Sequence, residues 1–379
     1  MKIMFVFVSL GCGGLQSVIM EMSKGFRENG HRICFVTLDG ESPDFHAVPE
    51  GVRRIRIAPE PKPRFFADSL RGLSRRIKAI RRAIAAEKPD AIISFSDATN
   101  VMTVLAARRL GVPVVVTEHA DPNFRPIGRF WEMMRRLTYS RSDKLVSVSA
   151  GVDRFFSWIK PEKRAVIYNP LKTPEENPAP VSAPFLKNGR RRVVSVGRLV
   201  DQKGFDLLLP AFAKIARKIS EVDLIILGEG EKRPQLEKLV EALDLSGRVF
   251  LPGIFRDPFA ILKEADVFVL SSRYEGFGNA LVEAMACGAP AISFDCPSGP
   301  GEIIEHGVNG ILVENGNVEA LASWMETLLR DGEKRSRIAA NGMKSIERFR
   351  PERIMPQWER LLGELAAKPR RRRKKWTRS

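Results

Sequence analysis

The feature that most constrains this chain is an alternation. Short apolar runs, continuous and not alternate in pattern, are separated from end to end by amphipathic stretches with helical spacing. In the first half the runs are 3–8, 33–38, 52–57, 91–95, 112–117 and 144–148. In the second half they are 193–196, 223–227, 249–251, 267–270, 291–294 and 310–313. A strand that is apolar at every position is covered on both faces, and strands joined through helices run parallel. The alternation stops across 170–192, "PLKTPEENPAPVSAPFLKNGRRR", and then restarts. Proline and polar residues at that density read as a linker. The expectation is an α/β protein of two doubly wound parallel-sheet domains, 1–172 and 191–349, facing across a cleft and joined by 173–190. A C-terminal helix, 350–367, and a basic tail, 368–379, follow. A chain of 379 residues accommodates two such cores.

Other classes are excluded more simply. No run approaches the roughly 18 apolar residues that a membrane-spanning helix needs. The opening "MKIMFVFVSLGCGG" is β-rich and ends in glycines without a small-residue cleavage site, so it reads as a buried first strand and not as a secretion signal. Cys12, Cys34, Cys287 and Cys296 form no C-x-x-C pair, which fits reduced thiols in a cytoplasmic protein. The net charge of +17 is local. The tail from Lys368 holds eight basic residues and no acidic one, and 62–88 holds nine against Asp68 and Glu87. The rest of the chain is close to neutral.

Ligands of open parallel sheets bind beyond the carboxyl ends of the strands, which singles out 10–15, 118–121, 197–204, 228–231, 271–279 and 295–302. In "GRLVDQKG" (197–204), Arg198 and Lys203 place two cations on one strand-to-helix loop. Arg198 suits a diphosphate as a fork and Lys203 as a point charge; a solvated surface loop is the plainer alternative. In "SSRYEGFGNALVEAMACG" (271–288), Gly276 and Gly278 let the backbone approach a ligand, and Asn279 is the expected cap of a helix. The backbone N–H groups from Asn279 through Ala280 to Leu281 would favour an anion. Glu275 before that helix and Glu283 one turn inside it can accept hydrogen bonds from hydroxyls. Taken singly, each is equally compatible with a structural glutamate.

The motifs resemble one family. "EGFGNALVEAMACGAPAISFD" from Glu275 is similar to the E-x7-E signature of the GT4 retaining glycosyltransferases, which have the GT-B fold. "VSVGRLVDQKGFDLLLPAF", "GCGGLQSVIMEMSKGFRENGH", "VVVTEH", "GIFRDPFAILKEADVFVLSS" and "GVNGILVENGNVEALA" resemble further family motifs, so the likeness covers nearly the whole chain. It implies that Glu283 binds the nucleotide ribose, and that Glu275 with the backbone of Phe277 to Leu281 holds donor sugar and diphosphate. It further implies that Arg198 and Lys203 neutralise the leaving diphosphate and that Gly13 and Gly14 close over it. His119 would contact the transferred sugar, and 251–255 the base, usually uracil in the family. The implied donor is a nucleotide sugar, UDP-linked as is usual in the family, with no resident cofactor and no metal. The implied chemistry is retaining transfer by same-side attack, a donor phosphate oxygen taking the acceptor proton. The implied acceptor is a glycan on a polyprenyl pyrophosphate, with a lipopolysaccharide core or simple lipid as the alternative.

Leu70, Leu73, Ile77, Ile80 and Ile84 recur at helical spacing, with Arg71, Arg75, Arg76, Lys78, Arg81 and Arg82 between them. This basic amphipathic helix and the tail, with Trp376, point to an anionic membrane surface or a pyrophosphate-bearing lipid, hence a peripheral protein on the inner face of the cytoplasmic membrane. An ordinary sheet-packing helix is the alternative. Nucleic acid is not the expected partner, since no recognition module accompanies the charge. A dinucleotide oxidoreductase would use "GCGGLQ", but Gln16 stands where its third glycine belongs. A glycosidase using Glu275 and Glu283 would have no diphosphate for Arg198 and Lys203 to stabilise.

Overall fold

A computed structural model describes residues 1–40, 44–58, 66–172, 189–255 and 257–367, with the backbone alone for 66–69. The tail, most of the linker and the start of the basic stretch lie outside the described residues. The chain forms two compact units, Met1–Pro170 together with the chain from Pro351, and Leu171–Arg350.

The first unit carries seven parallel strands: β1 (Lys2–Phe7), β2 (Arg32–Thr37), β3 (Arg53–Arg56), β4 (Ala91–Phe95), β5 (Val114–Glu118), β6 (Lys144–Ser147) and β7 (Arg164–Val166). Their order is β3-β2-β1-β4-β5-β6-β7. The centre is aromatic: Phe5 packs against Phe26, Phe35 and Phe95 at 6.1, 5.8 and 5.4 Å. Because the connections run outward in opposite directions from β1 and β4, right-handed crossovers place helices on both faces. One face carries α1 (Gly14–Glu28) with the C-terminal helix Pro351–Ala367, whose Ile354, Trp358 and Leu362 are buried in the same core as Met22 and Phe26. In the other layer α2 (Phe66–Glu87) and α4 (Arg129–Tyr139) flank α3 (Asp97–Ala107).

The second unit repeats the plan with β8 (Arg191–Val196), β9 (Val222–Leu227), β10 (Val249–Gly253), β11 (Val267–Leu270), β12 (Ala291–Asp295) and β13 (Ile311–Glu314). These are parallel in the order β10-β9-β8-β11-β12-β13. Every apolar run picked out in the sequence is a strand of one of these sheets, so the doubly wound α/β class holds. The exception is β7, a three-residue edge strand, half-buried throughout, whose apolar run is only the four residues 165–168. The helix at 351–367 follows the second unit in sequence but packs on the first.

Candidate active site

In the second sheet, β8 and β11 are neighbours, and the chain runs from them outward in opposite directions. That is a topological switch point, where the loops beyond two adjacent strands part and leave a crevice. The loops there are the two that carry Arg198, Lys203 and Glu275. They are bonded to each other at several points. Arg273 donates its N–H to Gln202 O (2.8 Å), Gln202 Nε2 donates to Tyr274 O (3.0 Å), and Ser271 Oγ donates to Lys203 O (2.8 Å). Gly204 makes this approach possible: at φ +62° a Cβ would lie 2.1 Å from Ser271 O.

Lys203 Nζ meets Glu275 Oε1 at 2.5 Å, and Ser272 Oγ donates to the same oxygen at 2.6 Å. Both charged groups are nearly buried, with 16% and 8% of their side chains exposed. The cation expected on the diphosphate and the carboxylate expected on the sugar are thus held as one pair. Arg198 is exposed and stands outside that pair.

The Asn279–Ala286 helix starts from Gly278, which occupies the cap position at φ +110°; Asn279 is the first helical residue and not the cap. The Leu281 N–H is also not left for an anion, because it donates to Gly278 O at 3.0 Å. Phe277 is buried edge-on to Phe349 (centroids 5.1 Å apart), and the Leu281 side chain is fully buried. Side chains at these positions therefore build the core. Glu283 is half-buried. Burial pushes its carboxyl up to about 7, opposed by the charge of Lys172 and assisted by that of Asp257.

Gly13, Gly14 and His119 belong to the first unit. Gly13 precedes α1, and Gly14 is its first residue, beyond the end of β1. His119 follows β5 with its ring tilted against Phe95 at 5.7 Å. Its Nε2 lies 3.0 Å from Thr117 Oγ1, whose own proton goes to the Ser94 carbonyl at 2.9 Å. A carbonyl only accepts, so Thr117 faces the ring as an acceptor and the proton sits on Nε2. Burial drives the imidazole pKa down to about 3, so the ring is neutral and Nδ1 is a bare acceptor. Nδ1 is buried and has no hydrogen-bond partner among the described residues.

Behind His119 lies a buried network that the motifs did not indicate. Tyr139 donates its hydroxyl hydrogen to Glu118 Oε1, and Asn100 Nδ2 donates to Tyr139 Oη at 3.0 Å and to Thr117 O at 2.9 Å. Burial raises the Glu118 carboxyl to about 7 despite the nearby Arg135 charge. Thr117 was within reach of sequence reasoning, since it lies two residues from His119 on the same strand face. Ser272 likewise lies three residues from Glu275. Asn100 and Tyr139 are brought in by tertiary packing alone. Along α2, Arg71, Arg75, Lys78 and Arg82 are exposed and Arg76 is half-buried. Arg81 departs from the expected solvated face: its Nη1 donates to the carbonyls of Ala106 (3.0 Å) and Arg108 (2.8 Å), capping the end of α3.

Residues 13–170 match the family described as Glycosyl transferase 4-like domain, and residues 182–345 match Glycosyl transferases group 1. One relative is GalNAc-α-(1→4)-GalNAc-α-(1→3)-diNAcBac-PP-undecaprenol α-1,4-N-acetyl-D-galactosaminyltransferase of Campylobacter jejuni. It is 26% identical over 372 residues, covering 96% of this chain and 99% of the relative. The lipopolysaccharide core biosynthesis glycosyltransferase LpsE of Rhizobium meliloti is 37% identical over 178 residues, about half of each chain (47% and 50%). Among solved structures, Anabaena HepE in complex with UDP superposes with a TM-score of 0.76 at 21% identity, covering 96% of this chain and all of that one. The chain belongs to the GT4 family of glycosyltransferases and has the GT-B fold.

Proposed function

We propose that the protein transfers a hexose or N-acetylhexosamine, with retention, from a UDP-sugar to a glycan carried on a polyprenyl pyrophosphate. The observation that carries this is the Lys203–Glu275 pair at the switch point of the second sheet, beside a helix start. Breaking the anomeric C–O bond puts positive charge on the sugar and negative charge on the departing diphosphate. Lys203, with Arg198 and the backbone of the helix start, opposes the negative charge as it develops. Glu275 and Glu283 accept from sugar and ribose hydroxyls, and His119 Nδ1 accepts from a sugar hydroxyl. No step calls for a metal ion. A phosphate oxygen of the donor takes the acceptor proton in a same-side attack.

The donor is supported by the UDP-bound homologous fold, and the acceptor by the Campylobacter relative, whose name specifies an undecaprenyl diphosphate glycan. The lipopolysaccharide-core relative favours a second reading, a core saccharide acceptor. Among the described residues no helix is long and apolar enough to cross a membrane. A peripheral position on the cytoplasmic face suits such an acceptor.

Calorimetry of UDP binding tests the reading. Lys203→Ala removes a charge-assisted contact, worth about 1.5–3 kcal/mol or roughly 10- to 100-fold in affinity, and Glu283→Ala a neutral acceptor, worth about 0.5–1.5 kcal/mol or roughly 2- to 10-fold. Wild type binding UDP with both variants weakened supports it. Wild type binding GDP or ADP in place of UDP corrects the base, and no nucleotide binding refutes the reading.

A further inference from the structure

Four of the nine exposed large apolar side chains among the described residues fall within residues 124–137: Phe124 (41%), Phe130 (36%), Met133 (51%) and Leu137 (49%). Three of them lie on α4 at spacing i, i+3, i+7, which gathers them into about 60° of helix arc. The opposite arc is the one that docks. Arg135, Thr138 and Tyr139 are buried there, and Tyr139 is tied to Glu118 and Asn100. The eleven-residue helix thus docks through a largely polar face and leaves its apolar face outward.

The rim of the unused face is cationic. Arg125, Arg129 and Arg136 are exposed around it, against the half-buried Glu132. Arg136 lies over the Trp158 ring at 5.5 Å and 3.3 Å from Glu132, which holds its charge at the edge of the apolar arc. Apolar side chains flanked by arginines suit the boundary of an anionic bilayer, where the apolar arc enters the acyl region and the guanidinium groups meet headgroup phosphates. Four half-exposed side chains fall well short of the roughly 800 Å² per partner that a stable protein interface buries.

We infer that the outer face of α4, with Phe124, is a docking surface for an anionic lipid bilayer, distinct from the basic face of α2. The inference rests on the reading of the acceptor as membrane-borne. It assigns the apolar contact to a helix that turns its apolar arc outward and buries Arg135, Thr138 and Tyr139.

The test uses the full chain and flotation with phosphatidylcholine vesicles with and without phosphatidylglycerol. The Phe130→Ser/Met133→Ser/Leu137→Ser variant is expected to lose at least about tenfold in partition to the anionic vesicles, since three apolar side chains no longer enter the acyl region. Val308→Ser/Met343→Ser, exposed apolar positions of the second unit, is expected to bind as wild type. Arg129→Ala/Arg136→Ala is expected to lose the preference for phosphatidylglycerol. Should the triple variant melt early, Met133→Ser alone, at the most exposed position, is expected to weaken vesicle binding in the same direction. Vesicle binding by the triple variant equal to wild type overturns the inference. So does a wild-type oligomer that the triple variant dissociates without any change in vesicle binding. UDP binding is expected to be unchanged in the triple variant, so failure of wild type to bind UDP counts against the proposed reaction and leaves the vesicle result intact.

Discussion

Lys203 and Glu275 are each other's partner before any ligand arrives. A pair held this way keeps both charges in place, and a diphosphate or a sugar hydroxyl enters by sharing them. Glu275→Gln separates the two roles. It keeps the side-chain shape and the acceptor for Ser272, but releases Lys203 from its counter-charge. UDP affinity is expected to hold or rise a few-fold while turnover falls by about 100-fold or more, read by calorimetry beside a transfer assay. A loss of UDP affinity matching Lys203→Ala would make Glu275 merely structural. Three titratable groups shifted by desolvation also give stability an expected pH dependence. Glu118 and Glu283, both raised to about 7, keep their protons in the fold where the unfolded chain has lost them, so each subtracts stability as pH climbs from the ordinary 4.5 toward 7. His119, lowered to about 3, does the reverse: its stability is present above the ordinary 6.5 and lost as pH falls toward 3. Between about pH 5 and 6.5 the carboxyls outnumber the imidazole, and the sum falls with pH. Glu118→Gln is expected to make the slope less negative by up to about 1.4 kcal/mol per pH unit, measured by urea unfolding across that window. An unchanged slope would mean that Glu118 is ionised in the fold.

At the level of elements, the loops after β8 and β11 hold the charged pair only because their backbones nearly touch at Gly204. Gly204→Ala puts a Cβ against Ser271 O in a left-handed conformation, and is expected to cost more than about 2 kcal/mol in a thermal or urea melt and to weaken UDP binding. A neutral effect would show the loops free to separate. The same two loops mark how far the sequence carries. Arg198, Lys203, Glu275 and Glu283 follow from residue type and from the rule about strand ends. That Lys203 faces Glu275 follows from β8 lying next to β11, a pairing of strands separated by two βα units, which no local pattern encodes. Arg81 shows the converse. It reads as one of six solvated cations on α2, yet it caps α3, and the carbonyls it serves, Ala106 and Arg108, are remote in sequence. Arg81→Ala is accordingly expected to lower stability by about 1 kcal/mol and to leave vesicle binding unchanged, whereas a solvated cation would show the opposite. The helix α4 was illegible for another reason. Its apolar positions Phe130, Met133, Met134 and Leu137 share one arc, which the pattern would send to the core, and packing instead buries the arc of Arg135, Thr138 and Tyr139.

At the scale of the whole molecule, the two sheets are closed off differently. The second unit buries its core with helices from its own stretch of chain, while the first completes one face with the helix that ends the described chain. Sequence order places 351–367 after the second unit, and amphipathic spacing shows that the helix has an apolar face without showing which core it meets. The structure supplies the partner. Ile354, Trp358, Leu361, Leu362 and Leu365 pack into the core that includes Phe26, and Gly25 of α1 admits Met355 so closely that a Cβ there would lie 2.7 Å from its Cγ. Glu359 accepts from Asn29 at 3.1 Å and meets His31 Nε2 at 2.8 Å, fixing the register of the helix against the end of α1. The first unit's stability is therefore linked to residues more than 300 positions away in the chain, past the entire second unit. Trp358→Ala removes a buried ring and is expected to destabilise the first unit by about 3–5 kcal/mol. Hydrogen exchange resolves where that cost falls. Amides of β1, β4 and α1 should lose protection together with the C-terminal helix, while those of β8 and β11 keep theirs and UDP binding persists. Equal loss of protection in both sheets would mean that the two units unfold as one cooperative body.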